Sequence, residues 1–330
     1  MASTSIPSTF QAYEFANYSD AITETKLNTQ VPQKPLGPNE VRVKVFSAAV
    51  NPLDYKLHYF GAMAIAVGPT AEKPLRMGFD VSGIVVEVGS GDVRGFKVGD
   101  AVFGSADMAG MGSFAEYVAL EADHLALKPN NVTFNEAAGV SIAGLASYQG
   151  LINRAKIEAG QRVLVLGGGG ATGQFGIQIA KAFGAEVIAT ASPRNTELVK
   201  SLGADQVIDY TAQKWVDVIA SNTIDVIYDC AVESESWSTD AQKILKMNTG
   251  KFLTIGIVEN QAESPIGATL IQYYCHPIAE DLEGLRKLIA ADQLKTTIDS
   301  VYPFDKLLDA IKHQMSGRAQ GKIIIEIAKE

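Results

Sequence analysis

Val163-Leu164-Val165-Leu166-Gly167-Gly168-Gly169-Gly170-Ala171-Thr172-Gly173-Gln174-Phe175-Gly176 is the stretch that decides the fold of this chain. Four apolar residues in a row read as a strand buried on both faces, since a half-buried strand would alternate. The glycines open a helix, expected over Ile177 to Phe183 and ended by Gly184, and a second apolar strand, Val187 to Thr190, follows at once. Strand, glycine turn, helix and strand form the setting in which G-x-G-x-x-G binds a dinucleotide, here as Gly168, Gly170 and Gly173. The first glycine serves the tight turn, the second lets the backbone approach a pyrophosphate, and the third lets helix and strand pack closely. The free N–H groups at the helix start then face the phosphates.

The end of the second strand separates the two nicotinamide dinucleotides. A site for NAD places an Asp or Glu there to accept the ribose hydroxyls. Thr190-Ala191-Ser192-Pro193-Arg194-Asn195 holds no acid. Ser192 can donate to a 2′-phosphate and Arg194 can pair with it as a fork, so the stretch with Asn195 reads as an NADP(H) site. The same residues also suit a polar loop and helix cap.

Length and composition set the frame. A chain of 330 residues, 47% hydrophobic and 20% charged, suits two globular domains with substantial cores. A formal charge of −9 with no Lys/Arg cluster speaks against a nucleic-acid partner. Cys230 and Cys275 lie far apart and outside any metal spacing, as in a protein kept reduced in the cytosol. No apolar run reaches membrane-span length. The polar start, Met1 to Phe10, reads as neither a secretory nor a transit signal, so a cytoplasmic protein is expected.

Residues 10 to 130 have the rhythm of a β-rich, barrel-like domain. Strands are expected at Glu40 to Val50, Val81 to Val88, Ala101 to Phe103 and Phe114 to Ala119, punctuated by glycine turns. Beyond Asn135, helices at Glu136 to Val140 and Ala143 to Leu151 lead into alternating strands and helices. The strands are Val187 to Thr190, Gln206 to Ile208, Val226 to Asp229 and Phe252 to Ile255; the helices lie near Glu197 to Leu202, Trp215 to Ala220 and Asp240 to Leu245. That alternation implies an α/β, doubly wound parallel sheet, a Rossmann domain. Two more helices, Leu282 to Ala291 and Phe304 to Met315, precede a last strand, Lys322 to Ile327.

Nearly the whole chain resembles the medium-chain dehydrogenase/reductase superfamily, in its zinc-free quinone oxidoreductase and 2-alkenal (enone) reductase branch. The resemblance rests on Asn51-Pro52-Leu53-Asp54-Tyr55-Lys56, Gly78-Phe79-Asp80-Val81-Ser82-Gly83, Phe96-Lys97-Val98-Gly99-Asp100 and Gly112-Ser113-Phe114-Ala115-Glu116-Tyr117. Ala143-Gly144-Leu145, the glycine loop, Leu202-Gly203-Ala204-Asp205 and Gly317-Arg318-Ala319-Gln320-Gly321-Lys322 carry it further. It implies a β-rich, GroES-like catalytic domain over 1–128, a dinucleotide-binding Rossmann domain over 129–267, and a C-terminal part, 268–330, that completes the first. Zinc alcohol dehydrogenases of this superfamily hold their metal with an early Cys and the His of a Gly-His-Glu motif. Here Ala49, Asn51 and Gly78-Phe79-Asp80 occupy those neighbourhoods, and His58, His124, His276 and His313 form no ligand set, so no metal is expected.

The resemblance places Asn51 to Lys56 beside the nicotinamide. Asn51 and Tyr55 would orient the acceptor, and Lys56 would anchor the cofactor or polarise a substrate carbonyl. Asp54 reads as a helix cap. Ser147 would lie near the nicotinamide, Ala171, Thr172 and Gly173 on the pyrophosphate, and Tyr210 by the adenine. Cys230, Gly256 and Ile257 follow strand ends, where backbone groups would grip ribose and carboxamide. Lys322 would return to the cofactor; a salt-bridged lysine is its plainer reading. The implied reaction is an NADPH-dependent, metal-free hydride transfer to a small quinone or enone, in a homodimer paired through a sheet edge at Phe252 to Ile257 and the apolar Ile266 to Tyr274. Two alternatives remain open. One is an enoyl-thioester reductase, whose proton-donating Tyr falls here on Met63. The other is a non-catalytic NADPH-binding sensor or structural protein.

Overall fold

The computed structural model describes residues 6–64, 68–259 and 261–329, without the side chains of 62–64, so the comparison at Met63 lies outside it. The chain divides into two units. One comprises Met1–Ile142, Pro277–Ala290 and Ile298–Glu330; the other comprises Ala143–His276 and Ala291–Thr297. The breaks fall at 142/143 and 276/277, beyond the expected 128/129 and 267/268. The residues after 128 still pack under the first unit's sheet, and the last parallel strand of the second unit lies past residue 267.

The first unit runs through β1 (Thr9–Phe15), α1 (Ala21–Glu24), β2 (Lys26–Pro32), β3 (Glu40–Val50) and α2 (Pro52–Ala64). Then come β4 (Leu75–Arg76), β5 (Asp80–Val88), β6 (Ala101–Ser105), β7 (Tyr117–Glu121), β8 (Leu125–Leu127) and α3 (Phe134–Ala138). From α4 (Ser141–Tyr148) the chain alternates: β9 (Arg162–Leu166), α5 (Ala171–Ala182), β10 (Glu186–Ala191), α6 (Thr196–Ser201) and β11 (Gln206–Asp209). It continues with α7 (Trp215–Val218), β12 (Val226–Asp229), α8 (Ala241–Ile244), β13 (Lys251–Thr254) and β14 (Thr269–Gln272). Last come α9 (Ala279–Ala290), β15 (Ile298–Pro303), α10 (Leu307–Met315) and β16 (Lys322–Glu326).

In the first unit a seven-stranded sheet runs β15-β16-β3-β5-β6-β8, with β7 also on β3, beside a smaller sheet β2-β1-β4. Its core gathers Val41, Val43, Val81, Val85, Val102 and Leu120 from inward-facing positions. The register matters for the site. Antiparallel pairing sets Ala49 opposite Asp80 and Val50 opposite Ile323. Three strand ends, Asn51 after β3, Asp80 opening β5 and Lys322 opening β16, therefore meet.

The second unit is a six-stranded parallel sheet in the order β11-β10-β9-β12-β13-β14. The strand order reverses between β9 and β12, and that switch point is where such sheets bind ligands. Val163 to Leu166, an unbroken apolar run, holds almost no exposed surface, and neither does Ile177 to Ala180 in α5, where Gln178 is buried as well. Of the two stretches expected at the sheet edge, Phe252 to Ile257 lies inside, since β13 is paired on both sides by β12 and β14, whereas Ile266 to Tyr274 holds β14, the edge strand opposite β11. Helix α5 starts six residues before the expected Ile177, because glycine weakens but does not forbid a helix that packs on the sheet. β1, β2 and β15 carry no clear alternation and were not expected as separate strands.

Candidate active site

In the first unit, α2 begins at Pro52, a residue suited to a first helical position. The Asp54 carboxylate reaches back to accept from the Asn51 backbone N–H at 2.7 Å, the cap expected of it. The Asn51 side chain is therefore released for other work. Its Nδ2 donates to Asp80 Oδ2 at 2.9 Å, and its Oδ1 accepts from Lys322 Nζ at 2.7 Å. Lys322 Nζ also donates to Asp80 Oδ2 at 3.0 Å, a fully buried ion pair. Asp80 Oδ1 accepts from the Ile142 N–H at the start of α4, so this carboxylate is satisfied on both oxygens.

Asp54 is the exception in that cluster. It is 1% exposed, and its Oδ1 has no hydrogen-bond partner among the described residues. Burial, reinforced by the Asp80 charge and opposed by the Asn51 N–H and Lys322, pushes its carboxyl up to about 8. Tyr55 is partly buried against a core cluster that includes Tyr13, Val50, Phe114, Leu307 and Ile323, and Lys56 is exposed. Asn51 and Lys322, expected to face acceptor and cofactor, are buried with their polar atoms bonded to each other and to Asp80. Register, invisible in a linear reading, is the reason.

In the second unit the left-handed glycine of the turn is Gly167, with φ +81°, and not Gly168. Gly167 and Gly168 donate to the Thr190 hydroxyl and carbonyl at 2.9 and 2.8 Å, which lash the loop to β10. Gly170 caps α5, and a Cβ on it would meet nothing closer than 3.6 Å, leaving its face open for a ligand. A Cβ on Gly173 would lie 2.3 Å from the Gly167 carbonyl oxygen, so this position must be glycine for the loop and helix to approach. Ala171, Thr172 and Gly173 form the first turn, whose N–H groups have no partner within the helix. This cradle fits a pyrophosphate.

Ser192, Arg194 and Asn195 occupy the turn after β10. Arg194 is exposed, whereas Asn195 is buried against the glycine loop, where a Cβ on Gly169 would strike its amide. Tyr210 lies 56% exposed just beyond β11. Ser147 is fully buried: its hydroxyl lies within hydrogen-bond reach of the Ala143 and Thr172 carbonyls and accepts from Tyr228 at 3.3 Å, tying α4 to α5. Cys230 follows β12, its thiol pushed up by burial and by Asp229. Gly256 donates to Thr254 Oγ1 at 2.9 Å, and Ile257 beside it is exposed.

Two residues outside the expected site organise it. Asp80 joins Asn51 to Lys322, and Asp229 closes β12. The Asp229 carboxylate accepts from the Ala231 and Glu233 N–H groups and from the Thr254 hydroxyl, and so fixes the turns after β12 and β13. Each acid stands at the end of an apolar strand, and that placement was the available signal. Among the described residues no three His, Cys, Asp or Glu side chains converge on a metal position. With Asn51 and Asp80 bonded to Lys322, the donor set does not fit zinc.

Two family models match this chain: an alcohol dehydrogenase GroES-like domain over residues 37–130, and a zinc-binding dehydrogenase family over 202–325. The chain is 36% identical over 98% of its length to the 2-methylene-furan-3-one reductase of Solanum lycopersicum, of which it covers 80%. It is 33% identical over 98% of its length to the chloroplastic NADPH-dependent alkenal/one oxidoreductase of Arabidopsis thaliana, of which it covers 81%. The fold matches the quinone oxidoreductase of Coxiella burnetii with a TM-score of 0.81 at 27% identity, over 96% of this chain and 99% of that one.

Proposed function

Because the chain belongs to the medium-chain dehydrogenase/reductase superfamily and is one of its oxidoreductases, we propose that it reduces the carbon–carbon double bond of α,β-unsaturated carbonyl compounds with NADPH, without a metal. What supports this is that Asn51 and Asp80, in the segments where the family resemblance puts the ligands of the zinc enzymes, are bonded to each other and to Lys322. The acceptor must then be electrophilic by itself, as enones and quinones are. The names of the two plant relatives favour the enone.

NADPH supplies a hydride. Gly170, Ala171, Thr172 and Gly173 hold the pyrophosphate at the start of α5. Ser192 and Arg194 take the 2′-phosphate on a turn that Asn195 holds against the glycine loop, Tyr210 borders the adenine, and the backbone at Cys230, Gly256 and Ile257 holds ribose and carboxamide. Ser147 backs the nicotinamide side. Lys56 is exposed and forms no ion pair among the described residues, which leaves its ammonium for a cofactor or carbonyl oxygen, while Tyr55 orients the acceptor. Hydride enters at the β-carbon, the electron pair of the double bond moves onto the carbonyl oxygen, and water protonates the enolate. Cys230 and Cys275 form no disulfide, which suits a reducing cytoplasm, and the open edge at β14 suits a homodimer.

An acceptor panel in one enzyme preparation tests the reading. NADPH oxidation is expected to be fastest with short enones and exocyclic-methylene furanones, slower with simple quinones, and negligible with enoyl thioesters. Turnover confined to enoyl thioesters would assign the rival reductase, and none with any acceptor would assign a binding protein.

A further inference from the structure

We infer that Lys322, Asp80 and Asp54 are positioning residues for the reduction: through Asn51 they seat the first turn of α2, and with it Tyr55 and Lys56. This rests on the proposal that Asn51 to Lys56 stands against the reacting groups. The geometry is specific. Asn51, at the junction of β3 and α2, is held from three sides: by Asp54 on its backbone N–H, by Asp80 on its amide nitrogen and by Lys322 on its amide oxygen. No other described contact fixes its side chain except a 3.3 Å bond to the Ala49 carbonyl.

The charges in the cluster set the state it needs. Two carboxyls and one ammonium are buried together, and the ammonium is bonded to Asp80 and not to Asp54. An ionised Asp54 would be a second buried anion with one oxygen unpartnered, a costly arrangement. As a neutral acid it keeps its bond to the Asn51 N–H and adds no charge. The groups that bear on it are Asp80 from β5 and Lys322 from β16. Glu24 of α1 and Asp20, which caps it, act on His58 instead, and Asp305 and Asp309, before and within α10, act on Tyr13.

The unfolded carboxyl ionises near 3.8 and the folded one near 8, so the fold holds a proton that the unfolded chain has lost. Stability from this group is full below about pH 4 and falls as pH rises to about 8, by about tenfold in the unfolding constant per pH unit. Above that the loss is complete, and α2 carries a buried anion at its base.

The test uses D54N, whose amide copies the neutral acid and cannot ionise, and K322M. The ratio of wild-type to D54N unfolding constants is expected to rise between pH 4 and 8 and then level. The kcat of the wild type for an enone is expected to fall about tenfold from pH 7 to 9, with a limb absent from D54N when each profile is scaled to its own pH 7 value. K322M is expected to lower kcat at least tenfold while the NADPH dissociation constant stays within twofold; if it does not fold, the D80N/K322M double variant, which leaves no lone charge, takes its place. An unfolding ratio flat with pH, an alkaline limb retained in D54N, or a loss in K322M confined to NADPH affinity would each overturn the inference. If no acceptor is turned over, the proposed reaction has failed, and the unfolding ratio still decides whether Asp54 holds its proton.

Discussion

Arg194 and Asn195 are neighbours in sequence with opposite environments. Asn195 is packed over Gly169, while Arg194 is exposed beside it, on the turn where a 2′-phosphate would sit. Asn195 shapes the loop, and the proposed reader of the 2′-phosphate is Arg194. Replacing Arg194 by Ala is therefore expected to weaken NADPH binding by about 1.5–3 kcal/mol, the range for a hydrogen bond to a charged group, and to leave NADH nearly unaffected. Fluorescence titration with both dinucleotides checks this, and equal losses would remove Arg194 from the 2′-phosphate. The glycine cluster teaches a related lesson. Four successive glycines permit several alignments of the fingerprint, and only backbone conformation reveals that Gly167 takes the left-handed turn.

At the level of elements, the helix expected over Ala143 to Leu151 breaks its own regularity. It runs as α4 to Tyr148 and then widens into a π-helical turn at Gln149–Arg154, closed by the Ala155 N–H on the Gly150 carbonyl at 2.8 Å. Such a turn shifts the hydrogen-bond ladder by one residue. The Tyr273 hydroxyl, one residue past β14, donates to the Ala146 carbonyl, and Gly150 leaves the room for it. A Cβ there would lie 2.3 Å from that hydroxyl. Burial raises both Tyr273 and Tyr228, so these hydroxyls stay protonated donors. Tyr273→Phe is expected to cost about 1–3 kcal/mol by leaving a buried carbonyl without its donor. Urea unfolding measures it; an unchanged midpoint would mean that the carbonyl finds another partner.

For the whole molecule, the open edge of the parallel sheet is the feature with consequences for assembly. β14 is short, partly exposed and paired on one side only, with Tyr274 exposed just beyond it. An uncovered edge invites pairing with another chain, and a two-fold axis covers it with a matching copy. Light scattering at micromolar concentration is expected to give twice the chain's 35.2 kDa. A monomer mass would show that the edge is blunted by its shortness alone. No helix among the described residues is long and apolar enough to cross a membrane.

The parallel sheet, its glycine cradle and the missing ribose acid were legible in the residues themselves, because each depends on local order: an unbroken apolar run, a glycine-rich turn and the residues just after a strand. Strands with clear patterning, such as Glu40–Val50, matched to the residue. β15 has no signal in the sequence because its Ser300 and Pro303 interrupt any alternation, and its place is set by pairing with β16. The cluster at the base of α2 could not be read from sequence at all. Asn51, Asp80 and Lys322 are separated by 29 and 242 positions and meet only through antiparallel register, which is a property of the folded sheet. Local chemistry thus determined what the chain can bind, and tertiary pairing decided which of its polar side chains face inward to one another and which are left for a ligand.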